Sequence, residues 1–225
     1  MLTQAIGNFL PAAVAVALSP IPIVAVVLVL GTPRARSNGT AFAAGWIAGL
    51  VIVSVVVLVA LGGADAQDGG SSAAADWLKT GIGILFLILA AREWRKRSKA
   101  GEEPATPSWM ASLDTLSPFR ALRLGAALSG ANPKNLALTL AAATSIAQAG
   151  LDETDTVIAV AVFVAIGSIT VVGAVLFYLI AHERAVGRLA TIKGFMLANN
   201  NVIMMVLLLV LGAKMLGDGI AGLAG

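Results

Sequence analysis

Ser129-Gly130-Ala131-Asn132-Pro133-Lys134-Asn135 lies near the middle of the chain, inside an apolar stretch that runs from about 121 to 148. Lys134 follows Arg123, the last basic residue before it, by eleven residues. At ~1.5 Å per residue a helix carries it roughly 16 Å inward, half of a ~30 Å hydrocarbon core. A lysine at that depth is costly and marks a function or a named partner. Asparagine is a favoured helix cap and proline a favoured first helical residue, so Asn132-Pro133 predicts a helix that restarts within the membrane. Such a restart presents free N–H groups and the positive dipole end beside a cation. These are the elements of an anion site.

Outward from this stretch the chain is apolar almost throughout. Its 225 residues are 58% hydrophobic and 12% charged, with mean hydropathy +0.91. Soluble domains carry about 25% charge, so the composition is that of a polytopic membrane protein. The net charge of +3 implies no nucleic-acid partner, and the absence of cysteine excludes disulfides, thiolate metal sites and cysteine nucleophiles. The first apolar segment lacks a basic leader and is too long for a signal peptide, so it reads as a retained span.

Six apolar windows emerge, at about 4–31, 38–62, 76–92, 121–148, 155–181 and 198–222. Charge alternates between them. Arg34 and Arg36 make the first loop basic, Asp65, Asp68, Asp76 and Lys79 make the second acidic, and Arg92–Arg123 is net basic. Asp152, Glu153 and Asp155 then make the fourth acidic, and Arg184, Arg188 and Lys193 outweigh Glu183 in the fifth. The positive-inside rule places the odd loops in the cytoplasm and both termini outside.

The two halves resemble each other. Ser19-Pro20-Ile21-Pro22 lies midway along the first window as Asn132-Pro133-Lys134-Asn135 does in the fourth, with a capping residue before a proline in both. Proline-interrupted segments at matching positions of two halves point to a transporter's midplane site. The expected fold is an all-α integral membrane protein of six transmembrane helices, arranged as two inverted three-helix repeats with helices one and four broken. Residues 1–92 form the first repeat, 93–120 a cytoplasmic loop with an interfacial helix, and 121–225 the second repeat. The candidate substrate-binding residues are Ser19, Pro20, Pro22, Ser129, Asn132, Pro133, Lys134 and Asn135. The plain alternative is that both proline sites are kinks, which are common in membrane helices.

No acidic residue falls in the core of an apolar window, every carboxylate lying in a loop or at a span end, and Glu93 is the nearest conceivable partner for Lys134. The lysine must snorkel, lose its proton, bind carbonyls or meet an anion from outside. Ser54, Ser168 and Thr170 are mid-span hydroxyls that either line a pathway or bond their own helix. Gly45, Gly49, Gly167 and Gly173 read as helix-packing positions, and such faces leave a homodimer open. Asn199, Asn200 and Asn201 are placed to cap the sixth helix. His182 alone cannot build a metal site, and no cofactor is implied. Apolar residues from Trp109 to Leu124 recur at helical spacing, as in a helix lying at the cytoplasmic interface and broken at Pro118. Residues 62–75 read as a flexible outer loop.

The Ser-Pro-Ile-Pro element, the Gly31–Gly39 loop and Asn132-Pro133-Lys134-Asn135 resemble the LysE exporter superfamily. Pro107-Ser108-Trp109-Met110, Leu113-Asp114-Thr115-Leu116-Ser117-Pro118 and the Asn132 motif resemble the actinobacterial GAP family of glycopeptidolipid- and sulfolipid-addressing proteins. The resemblance implies an inner-membrane protein that exports, or helps to export, a cell-envelope lipid. Ile21 stands where amino-acid exporters carry glycine, and the carboxylates of metal-exporting branches are missing.

The expected function is therefore transport or flipping of an amphipathic, anionic envelope lipid or glycolipid. The alternatives are export of a small anionic or zwitterionic metabolite such as an amino acid, or a non-transporting accessory role in lipid-export machinery. The residues for acid–base or nucleophilic catalysis are missing, so no enzyme activity is expected.

Overall fold

The computed structural model describes residues 1–62, 73–96 and 116–224, and every regular element among them is helical. In chain order these are α1 (Leu2–Ala17), α2 (Pro20–Leu30), α3 (Ala35–Gly62), α4 (Ala73–Lys96), α5 (Pro118–Ala126), a π-helical turn (Ala127–Ala131), α6 (Pro133–Ala147) and α7 (Glu153–Ala224). Three helical segments are long and apolar enough to cross a membrane: Ala35–Ala60, Glu153–Ala181 and Arg184–Ala224. α1 and α2, bent by 46° at their junction, pass the same test as a pair and make a fourth if they are one span. α4 and the α5–α6 pair, the remaining two of the six expected, are helical but do not meet that test among the described residues.

Both breaks form where the sequence places them. Ser19 and Asn132 are extended (φ −63°, ψ 113° and φ −69°, ψ 121°), and each is followed by a proline at the start of the next helix. The steric reason is local: a proline ring crowds the residue before it out of the α region. Pro11, by contrast, is carried inside α1 without a break.

α7 is one hydrogen-bonded helix of 72 residues that folds back on itself. Phe163 meets Phe9 edge-on at 6.0 Å, and Leu211 lines a small cavity with the same Phe9. In a straight helix those two α7 residues would be about 72 Å apart. Its first limb (Glu153–Ala181) runs beside α1 and α2, and its second (Arg184–Ala224) returns beside α4.

Glycine sets the closest helix approaches. A Cβ on Gly45 or Gly125 would strike the backbone of Leu122 or Phe42, so α5 lies directly on α3. Gly83 and Gly219 do the same between α4 and the second limb of α7, against Leu216 and Thr80, and Gly222 lies against the Asp76 carboxylate. Small residues let membrane helices approach to backbone contact. Gly45 and Gly49 are thus consumed inside the chain, and Gly167 meets Val16 at 3.2 Å, which removes them as a basis for a homodimer. Gly173 differs from its expected packing role, because a Cβ there would meet nothing within 4 Å.

Two other expectations change. Asn199–Asn201 do not cap a sixth helix: they lie inside α7, where Asn199 donates to Phe195 O and Asn201 to Lys96 O at the end of α4. α5 begins at Pro118, capped by Ser117 accepting from Arg120 N, and lies against α3. Of the expected interfacial helix over 109–124, residues 109–115 fall outside the described residues, as does most of the outer loop at 62–75. The side chain of His182 is likewise outside them. The buried centre is aromatic, with Phe9, Phe42, Trp46, Phe86 and Phe163 enclosed.

Candidate functional site at the two helix breaks

The end of α1 leaves four carbonyls without helical donors, as every helix end does. All four find partners here. Val14 O accepts from Leu18 N (2.9 Å) and Val16 O from Ser19 N (3.2 Å). Ala15 O accepts from Lys134 Nζ at 3.3 Å, and Ala17 O from Thr170 Oγ at 2.6 Å. Lys134 thus places its charge at the negative end of the α1 dipole, where a cation is favoured.

The lysine also donates to Ser19 Oγ at 2.8 Å, and Ser19 Oγ donates to Asn135 Oδ1 at 2.7 Å. Asn135 Nδ2 donates onward to Leu128 O in the π turn at 2.9 Å. The chain Lys134–Ser19–Asn135–Leu128 therefore joins the two breaks, which lie more than a hundred residues apart in sequence. Lys134 is 8% exposed, Ser19 2% and Asn135 0%. Ammonium has three donors, and two of them have partners among the described residues. Glu93, half-buried in α4, forms no ion pair with Lys134 among the described residues.

Free backbone N–H groups are scarcer than expected. Pro20 and Pro22 have none, and Ile23 N donates to Ser19 O, leaving Ile21 alone uncommitted in the first turn of α2 among the described residues. In α6, Asn132 Oδ1 accepts from Lys134 N (3.1 Å) and Asn132 O from Leu136 N (2.8 Å), leaving the Asn135 N–H. The prolines that force the breaks also strip their donors. The cationic side chain, not the helix N-termini, is the centre of positive charge.

The structure brings Ser19, Lys134 and Asn135 together, with Asn132 as the α6 cap and Pro20, Pro22 and Pro133 shaping the backbone. Ser129 stands apart: it is buried, donates to Ala126 O and faces Gly49 of α3. Thr170 reaches across to α1 instead of bonding its own helix. Ser54 and Ser168 are buried, and among the described residues their hydroxyls have no partner, including their own helix carbonyls. The carbonyls of Ala15 and Ala17 carried no sequence signal. Nor did Asn38, which is fully buried and donates to Thr32 Oγ and Leu116 O, tying the α2–α3 loop to the start of α5.

Neither the curated proteins nor the solved structures include a match to this chain. A family model does match, that of Sap, sulfolipid-1-addressing protein, over residues 9–221. With nearly all of its length covered by that match, the chain belongs to the sulfolipid-1-addressing protein family.

Proposed function

We propose that the protein moves an anionic, amphipathic envelope lipid across the inner membrane, with Lys134 as the group that meets the headgroup. The observation that carries this is the junction of the two breaks, where a buried lysine is held by Ala15 O and Ser19 Oγ and, among the described residues, by no carboxylate. A lysine paired with neutral acceptors can exchange one of them for an anion more cheaply than it could leave a buried carboxylate. The family's name points the same way, since a sulfolipid is an anionic lipid.

In this reading the chain crosses the membrane six times with both termini outside. Residues 1–92 and 121–225 act as inverted repeats, and 93–120 joins them in the cytoplasm. The junction is closed here, with Lys134 buried. Rocking α1–α2 against α6 would break the Lys134–Ser19 bond and offer the ammonium to one side and then the other. No nucleotide-binding motif is present in the sequence, so movement runs downhill, on the charge of the substrate, or with a partner.

A second reading is favoured by the same bonds: Lys134 closes the end of α1 as a structural cap, and the protein serves a larger export assembly as a subunit. Proteoliposomes separate the two. Flipping of anionic lipids is compared for wild type, Lys134→Ala and Lys134→Arg, alongside small anions. The transport reading expects loss in Ala and partial retention in Arg, with insertion unchanged. Equal transport in all three sinks the role of Lys134, and a wild type that moves nothing alone favours the subunit.

A further inference from the structure

Three cavities lie end to end between α2 and the two limbs of α7. The innermost, about 270 Å³, is walled by Ile23, Ile169, Phe177, Ile192 and Met196. It shares Val27 and Leu189 with a second of about 310 Å³, which reaches Thr32 and Lys193. That one shares Tyr178 with a third, about 370 Å³, bounded by Arg34 and Arg36 in the α2–α3 loop. Along the first limb the path from Thr170 to Tyr178 is about 12 Å at 1.5 Å per residue.

The chemistry changes along that path. The inner cavity is hydrocarbon-lined, and its one hydroxyl, on Thr170, is spent on Ala17 O. The outer two carry Lys193, Arg34 and Arg36, and among the described residues no acidic one lines any of the three. Ile169 and Ile192 are exposed at the edge of the inner cavity, so the groove opens sideways. Gly173 sits in its wall with open space in front of it. A helix of a second copy would fill an apolar groove but would not match a cationic mouth continuous with it. One charged end and one hydrocarbon end match a single amphiphile.

We infer that this groove is a lipid-binding site on the basic side of the protein, taking an anionic headgroup at Arg34, Arg36 and Lys193 and an acyl chain along Ile23–Val27 and Ile169–Phe177. Its inner end stops at Thr170, one hydrogen bond from the α1 terminus that Lys134 also caps. The inference deepens the transport reading, on which it rests for its purpose, by naming where the substrate is held before it reaches the junction. As a binding site it is tested separately from transport.

The full chain in phosphatidylcholine nanodiscs is doped with phosphatidylglycerol carrying a diazirine at the acyl terminus, illuminated and mapped by peptide mass spectrometry. A phosphatidylcholine probe of the same chain is the control. Labelling is expected to concentrate on 169–177 and 189–196, and to be stronger for the anionic probe. Gly173→Trp, filling the groove, removes most of it; Val27→Trp does so from the opposite wall, which guards against a misfolded variant. Lys193→Gln and Arg34→Gln each reduce the preference for the anionic probe, by about fivefold per charge.

Labelling spread evenly over the lipid-facing helices, or untouched by both tryptophans, overturns the site. So does a change in oligomeric state on Gly173→Trp with labelling retained, which makes the groove a contact between copies. If wild type labels as expected but flips no lipid, the groove stands and the transport reading fails. If it flips lipid at the same rate with both tryptophans and labelling is diffuse, transport stands and the groove fails.

Discussion

The two helix breaks share a backbone and differ in chemistry. Each has an extended cap followed by a proline, and at an offset of 113 residues Ser19 aligns with Asn132, Pro20 with Pro133, Ile21 with Lys134 and Pro22 with Asn135. The first break offers acceptors: the carbonyls at the end of α1 and the Ser19 hydroxyl, with prolines removing donors. The second offers the Lys134 ammonium as donor and Asn135 Oδ1 as acceptor for the Ser19 hydroxyl, while Asn135 Nδ2 serves its own π turn and Asn132 its own helix start. Complementary surplus is why the two ends bond to each other. Two identical breaks would leave buried groups unpaired, which costs about 1–3 kcal/mol each.

The largest effect is expected from Lys134→Ala. It strips the donor from Ala15 O and Ser19 Oγ together, so thermal unfolding in detergent should show a loss of roughly 2–3 kcal/mol, besides the loss of transport. A melt indistinguishable from wild type would mean that the breaks do not depend on each other. Next is the packing behind them. Gly49 presses against Ser129 and lies 2.9 Å, by its would-be Cβ, from Ala126 O, whereas Gly167 faces side chains alone, Val16 at 3.2 Å and Leu50 at 3.6 Å. Gly49→Ala should therefore cost about 1–3 kcal/mol and Gly167→Ala clearly less. The reverse order in paired melts would refute the view that the backbone contact behind the second break is less forgiving than the side-chain contact behind the first.

A double-mutant cycle between Ser19→Ala and Lys134→Met sharpens the comparison at its point of contact. Hydrogen bonds across membrane helices couple by about 0.6 kcal/mol on average and up to about 1.7, and this charged one should lie near the upper figure. Coupling near zero would leave the observed 2.8 Å contact without energetic weight. Smallest is the cap. Asn132→Ala loses one bond to Lys134 N and should cost about 1 kcal/mol, while Asn132→Ser should restore most of it. If Ser fails where Ala fails, the asparagine does something other than capping.

Much of this was legible in the chain. The breaks at Ser19 and Asn132, the first residues of α2 and α6, and the enclosure of Lys134 follow from chemistry within a few residues: a capping side chain, a proline ring, and a charge in an apolar run. Even there, proline alone decided nothing, since α1 passes through Pro11. The number of free N–H groups at the second break was not legible, because it depends on the Asn132 side chain turning back to its own helix.

What only the tertiary structure decided is who faces whom. A helix apolar on every side carries no pattern to say which side is inward, so α3, α4 and α7 gave no hint of their partners. That Ala15 O receives Lys134, that α7 reverses to run beside α4, that Asn201 closes the end of α4, and that Gly173 opens a groove while Gly49 shuts a crossing are all long-range matters. Local sequence fixes where a helix must stop, because the stop is a steric event between neighbours. It cannot fix what meets the stopped end, because that depends on residues brought close only by folding.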